Sequence, residues 1–291
     1  MVNGAGGRRR ETGPIGIMGD GIVGGALRAY LEGQGHDVRL YDPPKGHHSI
    51  EALDGADLVF VCVPTPYTAG YGFDDRHLLA AVSGLPGRRA IVIKSTVLPG
   101  TTQVLQERMP QHRFLFSPEF LREATAAEDF NSPDRQIVGH TEASAGDAER
   151  VMEILPRAPF ELVCSAGEAE MAKYAANAFL AVKVSYANEI FDLCERLGLE
   201  YERVRDVVAA DGRIGGSHMD VLDSGYRGYG GKCLPKDSKA LLDLARSLGI
   251  DLQVLRAADH VNALLRGAEA NERVTPFAPP GQRPLASERA A

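Results

Sequence analysis

A chain of 291 residues, 44% hydrophobic and 24% charged, can bury one large core or two ordinary ones. Its formal net charge of -7 argues against a general nucleic-acid binder, which needs a basic excess, though a local site can still take an anion. Four widely spaced cysteines provide neither a disulfide framework nor metal-ligand spacing, and no apolar stretch is long enough to span a bilayer. A cytoplasmic protein without a metal site or membrane contact is expected.

Met1–Gly13, rich in Gly and Arg without periodicity, reads as a disordered leader; its three arginines lack the apolar run of a secretory signal. Regular structure is expected from Pro14. Ile15–Met18 reads as a strand, and Gly19-Asp20-Gly21-Ile22-Val23-Gly24 follows it at once. A helix over about Ile22–Glu32 stops at Gly33 and Gly35, and Asp37–Asp42 reads as the second strand. Apolar runs at Asp57–Val63, Ala90–Ile93, Arg113–Phe116 and, weakly, Gln136–Val138 predict further strands, with helices at His77–Ser83 and Thr102–Met109. The run at Asp57–Val63 is nearly continuous, as in a strand buried on both faces of a parallel sheet. The alternation predicts an α/β domain over 14–164, a doubly wound, mostly parallel Rossmann-type sheet.

After Cys164 the period changes. Ser165 and Glu168 have capping-box spacing, and Met171, Ala175, Ala178, Val182, Tyr186, Ile190, Leu193 and Leu197 keep helical spacing as far as Gly198. This predicts one long helix, the spine of an all-α domain over 165–266 or a homodimer interface near 165–197. Shorter helices are expected at Glu202–Ala209, Lys236–Leu248 and Leu252–Leu265, and 267–291 reads as a disordered tail.

The glycine fingerprint follows a strand and opens a helix. Gly19 permits the tight turn, Gly21 the approach of a pyrophosphate, and Gly24 close helix–strand packing. Asp42 lies at the distance, about 20 residues on, where an acid bonds both ribose hydroxyls; it favours NAD over NADP by repelling a 2'-phosphate. Val63-Pro64-Thr65-Pro66, Lys94–Gly100 and Ser117–Glu123 each end a predicted strand. One such turn is explained by its proline, but three at one sheet edge read better as a site. Lys173 and Asn177 share a helix face, for which a solvated stripe is the plainer reading. In Gly228-Tyr229-Gly230-Gly231-Lys232-Cys233-Leu234-Pro235-Lys236-Asp237, glycines admit a ligand and a helix start favours the thiolate of Cys233. A buried core cysteine is the bland alternative, but Lys232, Lys236 and Asp237 beside it suit a core poorly.

Together the glycine fingerprint, Val63–Pro66, Ser95–Thr101, Ser117–Glu123, Lys173–Asn177 and Gly228–Asp237 resemble the UDP-glucose/GDP-mannose dehydrogenase family, over about Pro14–Asn262. The resemblance implies oxidation of the C6 alcohol of a nucleotide sugar to a uronate with two NAD. It implies Cys233 as nucleophile, Lys173 and Asn177 at the oxyanion, Asp237 on a water, and Glu123 and Thr96 in acid–base steps. The cofactor would be lined by Gly19, Gly21, Ile22, Gly24, Asp42, Thr65, Thr96 and Glu123. The sugar nucleotide would meet Glu119, Phe120, Leu121, Arg122, Glu123, Lys173, Asn177, Tyr226 and Gly230. This family continues into a third, Rossmann-like domain that grips the nucleotide; no second set of βαβ patterns is seen here, and Leu222-Asp223-Ser224 lacks the family's usual Asn and Pro. A short form of the enzyme is therefore expected. The competing readings are a non-catalytic NAD-binding dimer and a hydroxyacid dehydrogenase, which needs no nucleophilic cysteine.

Overall fold

The computed structural model describes residues 13–68, 70–222 and 225–267. The expected leader and tail therefore lie outside the described residues, apart from Gly13 and Gly267 themselves, as do Asp223 and Ser224. In chain order the strands are β1 (Ile15–Met18), β2 (Val38–Tyr41), β3 (Leu58–Val61), β4 (Tyr67–Thr68), β5 (Gly72–Phe73), β6 (Ala90–Ile93), β7 (Arg113–Phe116), β8 (Arg135–His140) and β9 (Phe160–Ser165). The helices are α1 (Ile22–Gly33), α2 (Arg76–Ser83), α3 (Thr101–Arg108), α4 (Ala126–Asn131), α5 (Ala148–Ile154), α6 (Ala166–Leu197), α7 (Tyr201–Ala209), α8 (Leu234–Ser247) and α9 (Gln253–Leu265). Two compact units result. Among the described residues, one takes 13–65 with Arg76–Glu170, the other Pro66–Asp75 with 171–267. No helix among the described residues is long and apolar enough to cross a membrane.

The first unit is a seven-stranded sheet in the order β2-β1-β3-β6-β7-β8-β9. Every residue of β1, β3 and β6 is buried, which is why their sequences read as apolar runs rather than alternations. Ile17, Leu27, Phe60, Val92, Leu115 and Val151 belong to one core cluster. Each such side chain contributes about 1.5–3 kcal/mol on burial. From β2 to β7 the pairing is parallel, as expected of a Rossmann-like sheet. Strand β8 then runs antiparallel to β7, pairing Leu115 with His140 and Phe116 with Gly139. It therefore begins beyond the end of β7, and the Arg135 guanidinium stacks 3.8 Å over the ring of Phe120. Strand β9 pairs parallel to β8 and was not foreseen; its apolar run, Leu162–Cys164, is only three residues long, and its residues are mostly exposed.

The 32-residue α6 starts with the expected capping box: Glu168 N–H donates to Ser165 Oγ at 3.3 Å, and Ser165 N–H to Glu168 Oε2 at 2.9 Å. Gly198, at φ +68°, follows its end. Over the part of α6 in the second unit, the burial differs from the apolar pattern. Met171, Tyr186, Leu193 and Leu197 of the expected stripe are exposed, as is Phe179, whereas Lys173, Asn177, Ser185 and Asn188 are buried. The buried polar groups are partnered: Ser185 Oγ donates to the Ala258 carbonyl at 2.9 Å, and Asn188 Nδ2 to that of Val184 at 2.9 Å. The β4–β5 hairpin also belongs to this unit, and Tyr67 donates its hydroxyl to Asp243 of α8 at 2.7 Å.

Candidate active site

In the first unit the glycine fingerprint adopts the expected geometry. Gly19 has φ +90°, and a Cβ there would stand 2.7 Å from the Cys62 carbonyl oxygen. A Cβ on Gly24 would collide with the Gly19 carbonyl oxygen, so helix and turn meet backbone to backbone. A Cβ on Gly21 would have no neighbour within 4 Å, which leaves the turn open on that side. Gly21 is the N-cap of α1, no side chain caps the helix, and Ile22 at its first position is 44% exposed. Asp42 Oδ2 accepts the Asp20 N–H at 2.6 Å, and a carboxylate has lone pairs left for ribose hydroxyls. An open turn, an uncapped helix start and a carboxylate beside them fit a dinucleotide.

Two strand ends are stapled beside this turn. Thr65 Oγ1 donates to the Thr96 carbonyl at 2.7 Å, and Ser95 Oγ to the Val63 carbonyl at 2.7 Å. Lys94, almost fully buried, donates to both the carbonyl and the hydroxyl of Ser117 at 3.1 Å, linking the ends of β6 and β7. Along the next segment, Glu119 accepts the Leu121 N–H at 2.8 Å, and Leu121 packs on the core. Arg122 is bound to Asp129 at 2.6 Å, which holds that carboxyl well below the usual carboxylate range. Glu123 opens an exposed single turn.

Sequence reasoning missed Glu170. Its fully buried carboxylate accepts from Gly100 N–H at 2.6 Å, Thr102 N–H at 2.8 Å and Thr102 Oγ1 at 2.6 Å. It thus caps α3 and fixes the end of the segment bearing Thr96. Burial raises its pKa to about 7, against the lowering effect of those three donors. The available signal was its spacing, one helical turn before Lys173.

In the second unit the chemistry-bearing residues converge on α6 and α8. Lys173 and Asn177 are both on the buried side of α6 rather than in a solvated stripe. Asn177 Nδ2 donates to Asp237 Oδ2 at 2.6 Å, and Lys236 Nζ lies 2.5 Å from Asp237 Oδ1. Cys233 is exposed and is the N-cap of the 14-residue α8, where the positive end of the helix dipole lies. The preceding stretch is pinned from two sides. Arg227 donates to the side chain and carbonyl of Asn188 at 3.1 Å and pairs with Asp192 at 2.7 Å. Tyr229 buries its ring beside Ala181, Val184 and Leu234, and its N–H donates to Asn262 Oδ1 at 2.7 Å. Tyr226 lies against Gly230, where a Cβ would be 2.9 Å from its Cζ, and Arg266 stacks 3.8 Å over its ring. Arg227 and Asn262 were missed because neither belongs to a motif read from the sequence.

Residues 45–157 match the NAD binding domain of the UDP-glucose/GDP-mannose dehydrogenase family, and residues 167–264 match that family's central domain. The first match begins beyond the Gly19–Gly24 turn, so the fit of that turn to a dinucleotide stands on its own geometry. A UDP-glucose 6-dehydrogenase of Pseudomonas aeruginosa is 39% identical over 233 residues, which cover 73% of this chain and 50% of that protein. The chain spans about half the length of the curated relatives it matches. A solved UDP-glucose dehydrogenase from the hyperthermophilic archaeon Pyrobaculum islandicum has a TM-score of 0.76 at 31% identity, over 91% of this chain and 70% of that one. A 3-hydroxyisobutyrate dehydrogenase of Mycobacterium tuberculosis shares the fold, with a TM-score of 0.69 at 20% identity over 90% and 96% of the two chains.

Proposed function

The chain belongs to the UDP-glucose/GDP-mannose dehydrogenase family, and from that premise we propose that it oxidises the C6 alcohol of a nucleotide sugar, UDP-glucose or a close relative, to the uronate. The observation that carries this reading is the Asn177–Asp237–Lys236 cluster on α6 and the first turn of α8, the helix headed by the exposed Cys233. A hydroxyacid dehydrogenase would have no use for that thiol.

NAD, when bound, supplies the acceptor for two hydrides per substrate. Gly21, the uncapped start of α1 and Asp42 are the groups that would hold it. Cys233 adds its thiolate to the aldehyde carbon, and the adduct is oxidised to a thioester. Water then displaces the sulfur, releasing the carboxylate and restoring the thiol. Lys173 and the Asn177 amide stabilise negative charge on the C6 oxygen. The Asp237 carboxylate, oriented by Lys236 and Asn177, holds the attacking water. Thr96 and Glu123 serve the acid–base steps. Glu119, Phe120, Leu121, Arg122, Tyr226 and Gly230 contact the sugar nucleotide.

The expected result is two NADH per sugar nucleotide, with Cys233→Ser failing at the aldehyde stage. Absence of NADH across a panel of sugar nucleotides, with NAD still bound, would sink the reading. The exposed apolar side of α6, with Phe179 67% and Leu193 55% exposed, supports a homodimer. Light scattering should give twice the chain mass, and Phe179→Glu should reduce it to one.

A further inference from the structure

The second residue of the glycine fingerprint is an aspartate, and its side chain has collected two cations. Asp20 is 8% exposed. Arg28, two turns into α1, donates from Nε to Asp20 Oδ1 at 3.0 Å and from a terminal nitrogen to Oδ2 at 3.5 Å. Lys45, from the single turn after β2, donates to the Asp20 carbonyl and lies 3.8 Å from Oδ2. The Asp20 N–H donates to Asp42. One residue thus joins the helix, the turn and the end of β2 on which ribose recognition depends.

A turn needs no acid at this position. The fingerprint specifies only the three glycines, and a small or apolar residue would serve the backbone equally well. What the acid changes is charge. Arg28 and Lys45 without Asp20 would be two cations flanking the turn, the kind of group that accepts a 2'-phosphate. That phosphate adds about -1.5 to -2 charges at pH 7. With Asp20 present, the cations are neutralised in place, and Glu32 takes a further share of Arg28 at 3.4 Å.

We propose that Asp20 is a specificity-determining residue of the dinucleotide site, neutralising Arg28 and Lys45 so that the site discriminates against NADP. The proposal rests on reading the first unit as an NAD site, and it extends the selectivity expected of Asp42 to a second residue.

Calorimetric titration of the full chain with NAD and with NADP, for wild type, Asp20→Asn, Asp20→Ser and Asp20→Asn with Lys45→Ala, tests it without any turnover. Wild type should prefer NAD by about tenfold or more, and either single variant should narrow that ratio by roughly fivefold, the scale of one surface charge contact. Removing Lys45 as well should restore most of the preference, and the narrowing should shrink in high salt. A purely structural Asp20 would weaken both dinucleotides equally or unfold both variants; either result overturns the proposal. An unchanged ratio with NAD still bound overturns it alone, whereas a wild type that binds no NAD overturns it together with the cofactor reading.

Discussion

Two glycine-rich turns lead into the two helices that matter here, and they need glycine for different reasons. At Gly19–Gly24 the neighbours are backbone: the Cys62 and Gly19 carbonyl groups stand where Cβ atoms of residues 19 and 24 would be. At Gly228–Gly231 the neighbours are side chains, the Asn262 amide against Gly228 and the Tyr226 ring against Gly230, with φ of +78° and +72° at Gly228 and Gly231. Backbone cannot move without dismantling a sheet, whereas a side chain can rotate. The dinucleotide turn is therefore rigid by construction, and the thiol turn is held by partners that can yield.

The largest test of that contrast is Gly24→Ala. It should destabilise the first unit by more than about 3 kcal/mol, read in denaturant titration, because no relaxation relieves a clash between Cβ and a main-chain carbonyl. A loss under about 1 kcal/mol would break the contrast.

Glu170 gives the next largest effect and sharpens it, since the rigid unit also houses a buried acid. With its folded pKa raised to about 7 from 4.5, the native state keeps a proton that the unfolded chain loses. The contribution is fully present below pH 4.5, declines as pH rises and is gone above about 7, with an amplitude on the order of 3 kcal/mol. Glu170→Gln should flatten the stability profile across that window. An unchanged slope would remove Glu170 as its source.

Gly230→Ala should cost only about 1 kcal/mol, because the Tyr226 ring can move and take Arg266 with it. Cys233→Ser, at an exposed helix cap, should shift stability by under about 0.5 kcal/mol. Equal losses in Gly24→Ala and Gly230→Ala would show that the two turns are held alike.

The parallel core was legible because β1, β3 and β6 are buried on both faces and their composition says so. The reversal at β8 was not, since strand direction is decided by the chain's route through α4, and only the middle of Arg135–His140 is apolar. Strand β9 went unread because its apolar run, Leu162–Cys164, is only three residues long, too short to mark an element. On α6 the periodicity gave the helix but not its inward face, because Lys173 and Asn177, although buried, are polar and look like surface residues; Asn177 meets its partner Asp237 only in the fold. Cys233 and the fingerprint glycines could be found by motif; Glu170, Arg227 and Asp20 act through partners far along the chain.

The root of α6 has a mechanical consequence. A Cβ on Gly139 of β8 would stand 2.7 Å from Ala169 Cβ and 2.8 Å from Ala166 Cα, so strand and first helical turn touch without a side chain between them. A side chain at residue 139 would have to push the first turn of α6 off the strand, so the sheet and the start of that helix behave as one piece.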